Sequence, residues 1–472
     1  MFKDLREYIE TLKTNNMLTE INTEISADLQ ISKILREYLP LKKSIIFNNV
    51  HGYKMKVFGN AFASMEHMHT ALNLTDFSEP ANRILELTKQ LPGGYYEALK
   101  QLSKLKDLFS VKPKSVKNGP VKEEVSDKLD FNSLPVLRTW PGDAERFITF
   151  PLVVTKSKDG RYNMGVYRMQ IYDPKTAGMH WQIHKHGAEN FEESTGNIDV
   201  AVVIGADPAT IYSAVAPVPK QIDDYLFSGL LRGSPLELVS CESIDLEVPA
   251  NAEIVLEGYV KKDELREEGP FGDHTGYYTP PEKYPVFHLK NVMMRSDPIY
   301  HATVVGRPVM EDAYIGKTIE RMFLPLIQMF LPEVIDINLP FEGVFHNILL
   351  VSIKKRFPGQ ARKVVFGLWG LDMLALTKYI IVVDSDINVQ NLGEVLWALG
   401  TRSDPKRDSI VTEGPLDVLD HASYREGFGG KMGIDATKKL KNEGYDRDWA
   451  DTIEESREIE KWFEQRKKDY GL

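Results

Sequence analysis

The sequence predicts an α/β protein of several domains, and three observations carry that expectation. The chain has 472 residues, more than one ordinary hydrophobic core serves, so two or three domains are expected. Hydrophobic residues make up 42% of it, enough to fill such cores. The texture also changes twice: mixed helix and strand patterns give way to short strands separated by turns, and these to alternating strand and helix.

The first segment, "FKDLREYIETL", places Leu5, Tyr8, Ile9 and Leu12 at helical spacing, which predicts an amphipathic helix. "ISADLQISKILREYL" reads as a turn and a second helix capped by Ser26. "KSIIFNNV" and "KMKVFGNAFA" read as strands. These elements form an N-terminal α/β domain, residues 1–115. Residues 111–130, "VKPKSVKNGPVKEEVSDKLD", are polar and carry Pro and Gly, the composition of a solvated linker.

A central domain, 116–305, shows "FPLVVTKS", "YNMGVYRMQIYD", "DVAVVIGAD", "LELVSCESIDLEV", "AEIVLEGYV", "YPVFHLKNVMMR" and "IYHATVVG". Strands at such intervals predict an antiparallel barrel or sandwich. In the C-terminal domain, 306–440, "NILLVSIKK" and "KYIIVVDSDI" alternate with the helices "GQARKVVFGLWGLDML" and "LGEVLWALGTR". That alternation predicts a parallel wound sheet. The tail, 441–472, is highly charged, with Ile453, Ile459, Trp462 and Phe463 as its apolar residues. It reads as a helix that packs on its own domain or docks on another subunit.

Composition excludes several classes. A net charge of −10 argues against a nucleic-acid partner, which would select a basic face. The single cysteine, Cys241, cannot form a disulfide within the chain; a cytoplasmic location is expected. In "LELVSCESIDLEV" it reads as a small buried strand residue. The charged N-terminus is no secretory signal, and no apolar run has the length to span a bilayer. P-loop, dinucleotide-binding and G-x-S-x-G patterns are absent. "HKHG" is not a zincin motif.

Three stretches have the residues for chemistry. In Tyr162–Phe191, Asn163 and Arg168 lie five apart on an expected strand. A regular strand would put them on opposite faces, and Gly165 between them permits a bulge. His180, Trp181, His184, Lys185 and His186 follow, a set of cations and aromatics that suits a planar, phosphate-bearing cofactor. In "REEGPFGDHTGYY", Glu268 and Asp273 flank two glycines and a proline, so one sharp turn can present both carboxyls. A carboxyl raised in pKa by burial or a like charge can protonate a carbanion-like centre. On composition alone, an acidic surface turn is the simpler reading. Asp224 precedes an apolar run and reads as a helix cap or first-turn charge.

Taken together, "NMGVYRMQ", "GADPATIYSAVAPVP", "YLFSGLLRG", "DLEVPANAEIVLEGY", "EGPFGDHTGYY", "YHATVVGRP", "TRSDPKRD" and "KMGIDATKK" resemble the UbiD family of carboxylases and decarboxylases, most nearly its 4-hydroxy-3-polyprenylbenzoate branch. The resemblance implies a central split β-barrel like that of flavin reductases between two α/β domains, with a tail helix that joins subunits into homo-oligomers, dimers or hexamers. It implies prenylated FMN, supplied by a flavin prenyltransferase and held through a divalent metal, Mn2+ or Mg2+, with K+ nearby. Residue by residue, it assigns Asn163, Asp224 and His180 to the metal, Asp224 standing where the family usually has Glu. Val166, Tyr167, Arg168, Met179, His180, Trp181, Gln182, Lys185, His186 and Lys378 fall on cofactor positions. Arg168, Glu268 and Asp273 match the catalytic Arg–acid–acid set, with Asp273 as proton donor. The implied reaction is reversible non-oxidative decarboxylation of an aromatic or α,β-unsaturated acid. Branch cues place it in quinone biosynthesis; the alternatives are a phenolic-acid or isoprenoid-pathway decarboxylase, or a non-catalytic flavin-binding or assembly protein. Peripheral membrane association is expected only for a prenylated substrate.

Overall fold

The computed structural model describes residues 1–89, 110–181, 190–192, 194, 196–218, 223–443, 445–453 and 455–471. Helix Leu5–Thr14 forms as its spacing predicts: Asp4 caps it, and Leu5, Tyr8, Ile9 and Leu12 are its buried face. Helix Gln30–Tyr38 has no side-chain cap. Ser26 instead accepts from Asp28 N in the preceding turn, 3.0 Å. Strands Leu18–Ile21, Ser44–Phe47 and Lys56–Gly59 form a four-stranded sheet whose last member is Ile299–His301, from far along the chain. The end of the central segment is thereby tied into the N-terminal sheet.

The stretch expected as a solvated linker is ordered instead. Lys114–Ser115 pairs with Glu237–Leu238, Glu124–Ser126 pairs with Val292–Met294, and Val121 is fully buried between them. Its polar side chains face out while its backbone completes sheet edges, a use that composition does not show.

The centre of the protein is a nine-stranded sheet dominated by one long hairpin, Ile254–Glu268 against Glu282–Met294. Strand Ile198–Ile204 lies beside it, followed by Leu152–Lys156 and Tyr162–Val166; on the other side come Thr176–Gly178, Met169–Asp173 and Phe147–Ile148. Among the described residues the ladder is an open path from Phe147–Ile148 to Tyr162–Val166, and their pairing does not close into the expected barrel. Apolar cores fill both its faces.

The C-terminal sheet is parallel at its centre, where Ile348–Ile353, Tyr379–Asp384 and Phe428–Ala436 run together. Its edges, Val334–Asn338 and Ser409–Pro415, are antiparallel, so the wound-sheet expectation holds for three of its five strands. Helix Glu311–Phe330 leads into this domain. The tail helix Arg457–Arg466 buries no residue and exposes Ile459, Trp462 and Phe463. Among the described residues, no helix is long and apolar enough to cross a membrane.

Candidate active site

The long hairpin carries Glu268 as the last residue of its first strand, opposite Glu282. The chain then turns at Gly269, whose φ of +102° suits glycine. Phe271–Gly272 pairs with Tyr278–Thr279, so the acidic loop is a small ladder rather than a loose turn. Asp143 fixes its base: Oδ1 accepts from Gly272 N at 2.7 Å, and Oδ2 accepts from Thr139 N and Trp140 N. Gly272 packs so closely on Trp140 that a Cβ would lie 2.3 Å from Cδ1 of the indole. Sequence reasoning passed over both Asp143 and Trp140, which lie over a hundred residues upstream.

Arg168 lies between strands Tyr162–Val166 and Met169–Asp173. The break there relieves the opposite-face problem, because Asn163 and Arg168 are not on one regular strand. Gly165 is required on this stretch: the Tyr167 ring folds back over it, 2.5 Å from where a Cβ would sit. Arg168 Nε donates to Glu268 Oε1 at 3.0 Å, Nη1 to Asp273 Oδ2 at 2.5 Å and Nη2 to Thr279 Oγ1 at 3.1 Å. Its guanidinium lies 4.6 Å from the centre of the Phe271 ring, a favourable cation–aromatic stack. The Arg–acid–acid set is thus assembled from positions about a hundred residues apart, with its arginine and acids almost wholly buried.

His180 joins it, Nδ1 lying 3.0 Å from Glu268 Oε2 and the ring against Tyr284. Burial pushes the Glu268 carboxyl up, but the charge of Arg168 and the bonds from His180 and Arg168 outweigh it and hold it below its ordinary value. Burial also pushes Asp273 up; there the hydrogen bond and charge of His274, followed by Arg168, overcome it and hold the group well below the carboxylate range. The raised pKa expected of a proton donor is therefore not what surrounds Asp273. At rest it is a carboxylate, and it must gain a proton before it can give one.

Asp223, not Asp224, caps helix Asp224–Arg232, accepting from Tyr225 N and Leu226 N. Asp224 is buried in its first turn and its Oδ2 accepts from Met164 N at 2.8 Å and Asn163 Nδ2 at 3.0 Å. Two of the three expected metal residues are therefore in contact. Asn163 Oδ1 is buried with no hydrogen-bond partner among the described residues, an oxygen of the kind a hard cation takes. Among the described residues no three His, Cys, Asp or Glu side chains converge as a metal site, and His180 is engaged with Glu268.

Of the expected cofactor positions, Val166 ends its strand half-buried, while Tyr167, Met179 and Trp181 belong to one apolar core. Trp181 Nε1 is a buried donor without a partner among the described residues, and its ring packs on Phe191 at 5.0 Å. Gln182, Lys185 and His186 lie outside the described residues. Lys378 forms an ion pair with Asp420 at 2.5 Å. An orphaned acceptor at Asn163 and an orphaned donor at Trp181 fit a bound polar group along 163–181.

Comparison with known proteins decides the family. The chain matches the N-terminal, Rift-related and C-terminal domains described for 3-octaprenyl-4-hydroxybenzoate carboxy-lyase, UbiD, over residues 9–88, 113–308 and 313–436. The chain belongs to the UbiD family. It is a UbiD-type carboxy-lyase by fold and family. An uncharacterized protein of Archaeoglobus fulgidus is 51% identical over 460 residues, covering 96% of this chain and 95% of that one. An uncharacterized protein of Aquifex aeolicus is 46% identical over 472 residues, covering 98% and 97%. Among solved structures, the vanillic acid decarboxylase of Sedimentibacter hydroxybenzoicus in closed form superposes with a TM-score of 0.86 at 27% identity, over 100% of both chains. An evolved dimeric form of the UbiD-class enzyme HmfF from Pelotomaculum thermopropionicum, in complex with prFMN, gives 0.79 at 26%, over 98% of each.

Proposed function

We propose that this UbiD-family chain is a reversible, non-oxidative decarboxylase of a phenolic or related aromatic acid, with prenylated FMN as its cofactor. The observation that carries the proposal is Arg168 bonded at once to Glu268, Asp273 and Thr279. A non-catalytic flavin-binding protein would have no need of two buried carboxylates around one arginine. Similarity to a vanillic acid decarboxylase supports a phenolic acid ahead of the quinone-pathway substrate that the branch-like motifs suggest.

Three of the five N–H donors of Arg168 are engaged, which leaves two to hold the substrate carboxylate. Glu268, locked between Arg168 and His180, keeps the guanidinium in register. Phe271 covers one face of it and excludes water, which strengthens each charge–charge contact. Asp273 then delivers a proton to the carbon that carbon dioxide leaves. When bound, prenylated FMN supplies the sink for the electron pair released in that step. Asn163 and Asp224 would hold Mn2+ or Mg2+ at its phosphate, and His180 has only Nε2 left for a ligand. The exposed apolar residues of the tail helix support a role in self-association.

The test is co-production with a flavin prenyltransferase, followed by the spectrum of the bound chromophore and deuterium exchange at the carboxyl-bearing carbon of hydroxylated benzoic acids. Bound prenylated FMN with exchange is expected. Unmodified FMN with NAD(P)H oxidation would sink the proposal.

A further inference from the structure

Asp273 Oδ1, the oxygen that does not face Arg168, accepts from His274 N at 2.7 Å and meets His274 Nδ1 at 2.8 Å. On the far side of the same ring, His274 Nε2 lies 2.9 Å from Nε2 of His346. His346 comes from the C-terminal domain, after two non-glycine residues in the left-handed region, Val344 at φ 57° and Phe345 at φ 46°. Such a pair is costly and persists only where the surroundings enforce it. The Phe345 ring packs on His274, 5.4 Å between centres. The C-terminal domain is thus held against the back of the acidic loop through a line of three groups, Asp273, His274 and His346.

The chemistry of that line fixes its protons. Asp273 is a carboxylate, so Nδ1 of His274 bears the hydrogen between them. Two Nε2 atoms 2.9 Å apart need one donor and one acceptor. The groups facing His274 are Asp273, Asp312 at the start of helix Glu311–Phe330, Asp417, and His346. Those facing His346 are His274, Asp273, Asp417 and Asp420. Burial and the neighbouring His274 charge push His346 down to about 4, so it is neutral and accepts. Burial also lowers His274, but Asp273, Asp312 and Asp417 reverse this and raise it. Asp312, pushed up to about 6 by burial, is still charged at neutral pH.

We propose that His274 is the proton store of the acid step, its Nδ1–H passing to Asp273, and that His346 is the positioning residue whose Nε2 holds the His274 ring in line. This rests on the decarboxylase proposal above. The C–C bond to the carboxyl group breaks, carbon dioxide leaves, and the electron pair left behind is the one that forms the new C–H bond. The His274 Nδ1–H bond breaks and Asp273 takes that proton. Asp273 then transfers a proton to the carbon, forming the C–H bond and returning to carboxylate. His274 is left neutral with its remaining proton on Nε2, still donated to His346, and regains a proton from water after product leaves.

Two measurements test this on the full-length protein. With ¹⁵N-labelled histidine, long-range NMR correlations read the protonation of each ring, and the His274 signals are those lost in H274Q. Both His274 nitrogens are expected to bear protons at about pH 7. H346Q, which keeps an acceptor, leaves this state in place, and H346L lowers the pH at which the imidazolium is lost. In the exchange assay, H274Q should lose about 10²-fold. In H346L the alkaline limb of the rate should move to lower pH with KM unchanged, and H346Q should restore it. A neutral His274 at about pH 7, or an unmoved limb in H346L, overturns the proposal. A charged His274 in a protein that exchanges no aromatic acid would instead refute the decarboxylase reading.

Discussion

Arg168→Leu separates the electrostatic account of the site from a purely steric one. The arginine side chain is 10% exposed, that of Glu268 0% and that of Asp273 8%, so solvent cannot replace the lost charge. Removing one member of a buried ion pair costs about 3–5 kcal/mol. Each carboxylate keeps one histidine, His180 at 3.0 Å and His274 at 2.8 Å, which places the expected cost near the lower end, about 3 kcal/mol. For a domain of this size that is a fall in Tm of roughly 6–12 °C near pH 8. The pH dependence is the sharper signature. In the native protein both acids titrate below their ordinary values, so they contribute stability above the unfolded-state pKa, lost as pH falls through the lower folded value. In the variant, burial acts on Glu268 with only His180 to oppose it, so its folded pKa rises from the lowered native position. The folded variant then takes up the proton at higher pH than the native protein does, and the deficit shrinks toward about pH 5, each tenfold gain in the proton affinity of the folded Glu268 being worth about 1.4 kcal/mol. Thermal unfolding followed by circular dichroism at the two pH values reads the difference. An equal fall in Tm at both, or a fall under about 2 °C, would refute the charge argument.

Asp273→Asn should abolish carbon dioxide release and isotope exchange while the protein still retains cofactor, measured by chromophore content after gel filtration. Asn163→Ala and Asp224→Ala should each release cofactor on desalting, as should chelation of the native protein; retention with metal content unchanged would remove both from the metal role. Gly272→Ala forces a methyl group against Trp140, at a cost of about 1–3 kcal/mol, with a shift in tryptophan emission that the same change at exposed Gly160 should not give.

The elements that formed where the pattern put them are those whose own residues carry the signal. Leu5, Tyr8, Ile9 and Leu12 make one helical face, and "NILLVSIKK" and "KYIIVVDSDI" become central parallel strands. What did not show was pairing between distant segments. Nothing in "IYHATVVG" says that Ile299–His301 joins a sheet begun near residue 18, and nothing polar in 111–130 says that its backbone closes two edges. At the site, Arg168, Glu268 and Asp273 were legible through resemblance. Their supports were not: Thr279 meets Arg168 only because it pairs with Phe271, and His346 reaches His274 across 72 residues. His274 itself stood beside Asp273 in the sequence, and the adjacency of an imidazole and a carboxyl was the one local signal available.

The strand that carries Glu268 explains why composition alone favoured a surface turn. In "DELREEGPF" hydrophobicity alone would turn Leu265 inward and leave Glu268, on the opposite face, in water. The structure does the reverse: Leu265 is 53% exposed and Glu268 1%. The pairing of the long hairpin shifts between Val260 and Leu265 before Leu265–Glu268 takes its register against Glu282–Pro285. A shift of one residue exchanges the two faces of a strand, and here it brings a carboxylate to the buried face at a cost in hydrophobic burial. That cost is offset at one place, where Arg168 and His180 receive both oxygens of Glu268. A strand built for stability alone would not make that exchange. Local preference gives way at the residue that holds the arginine, where chemistry needs a buried charge.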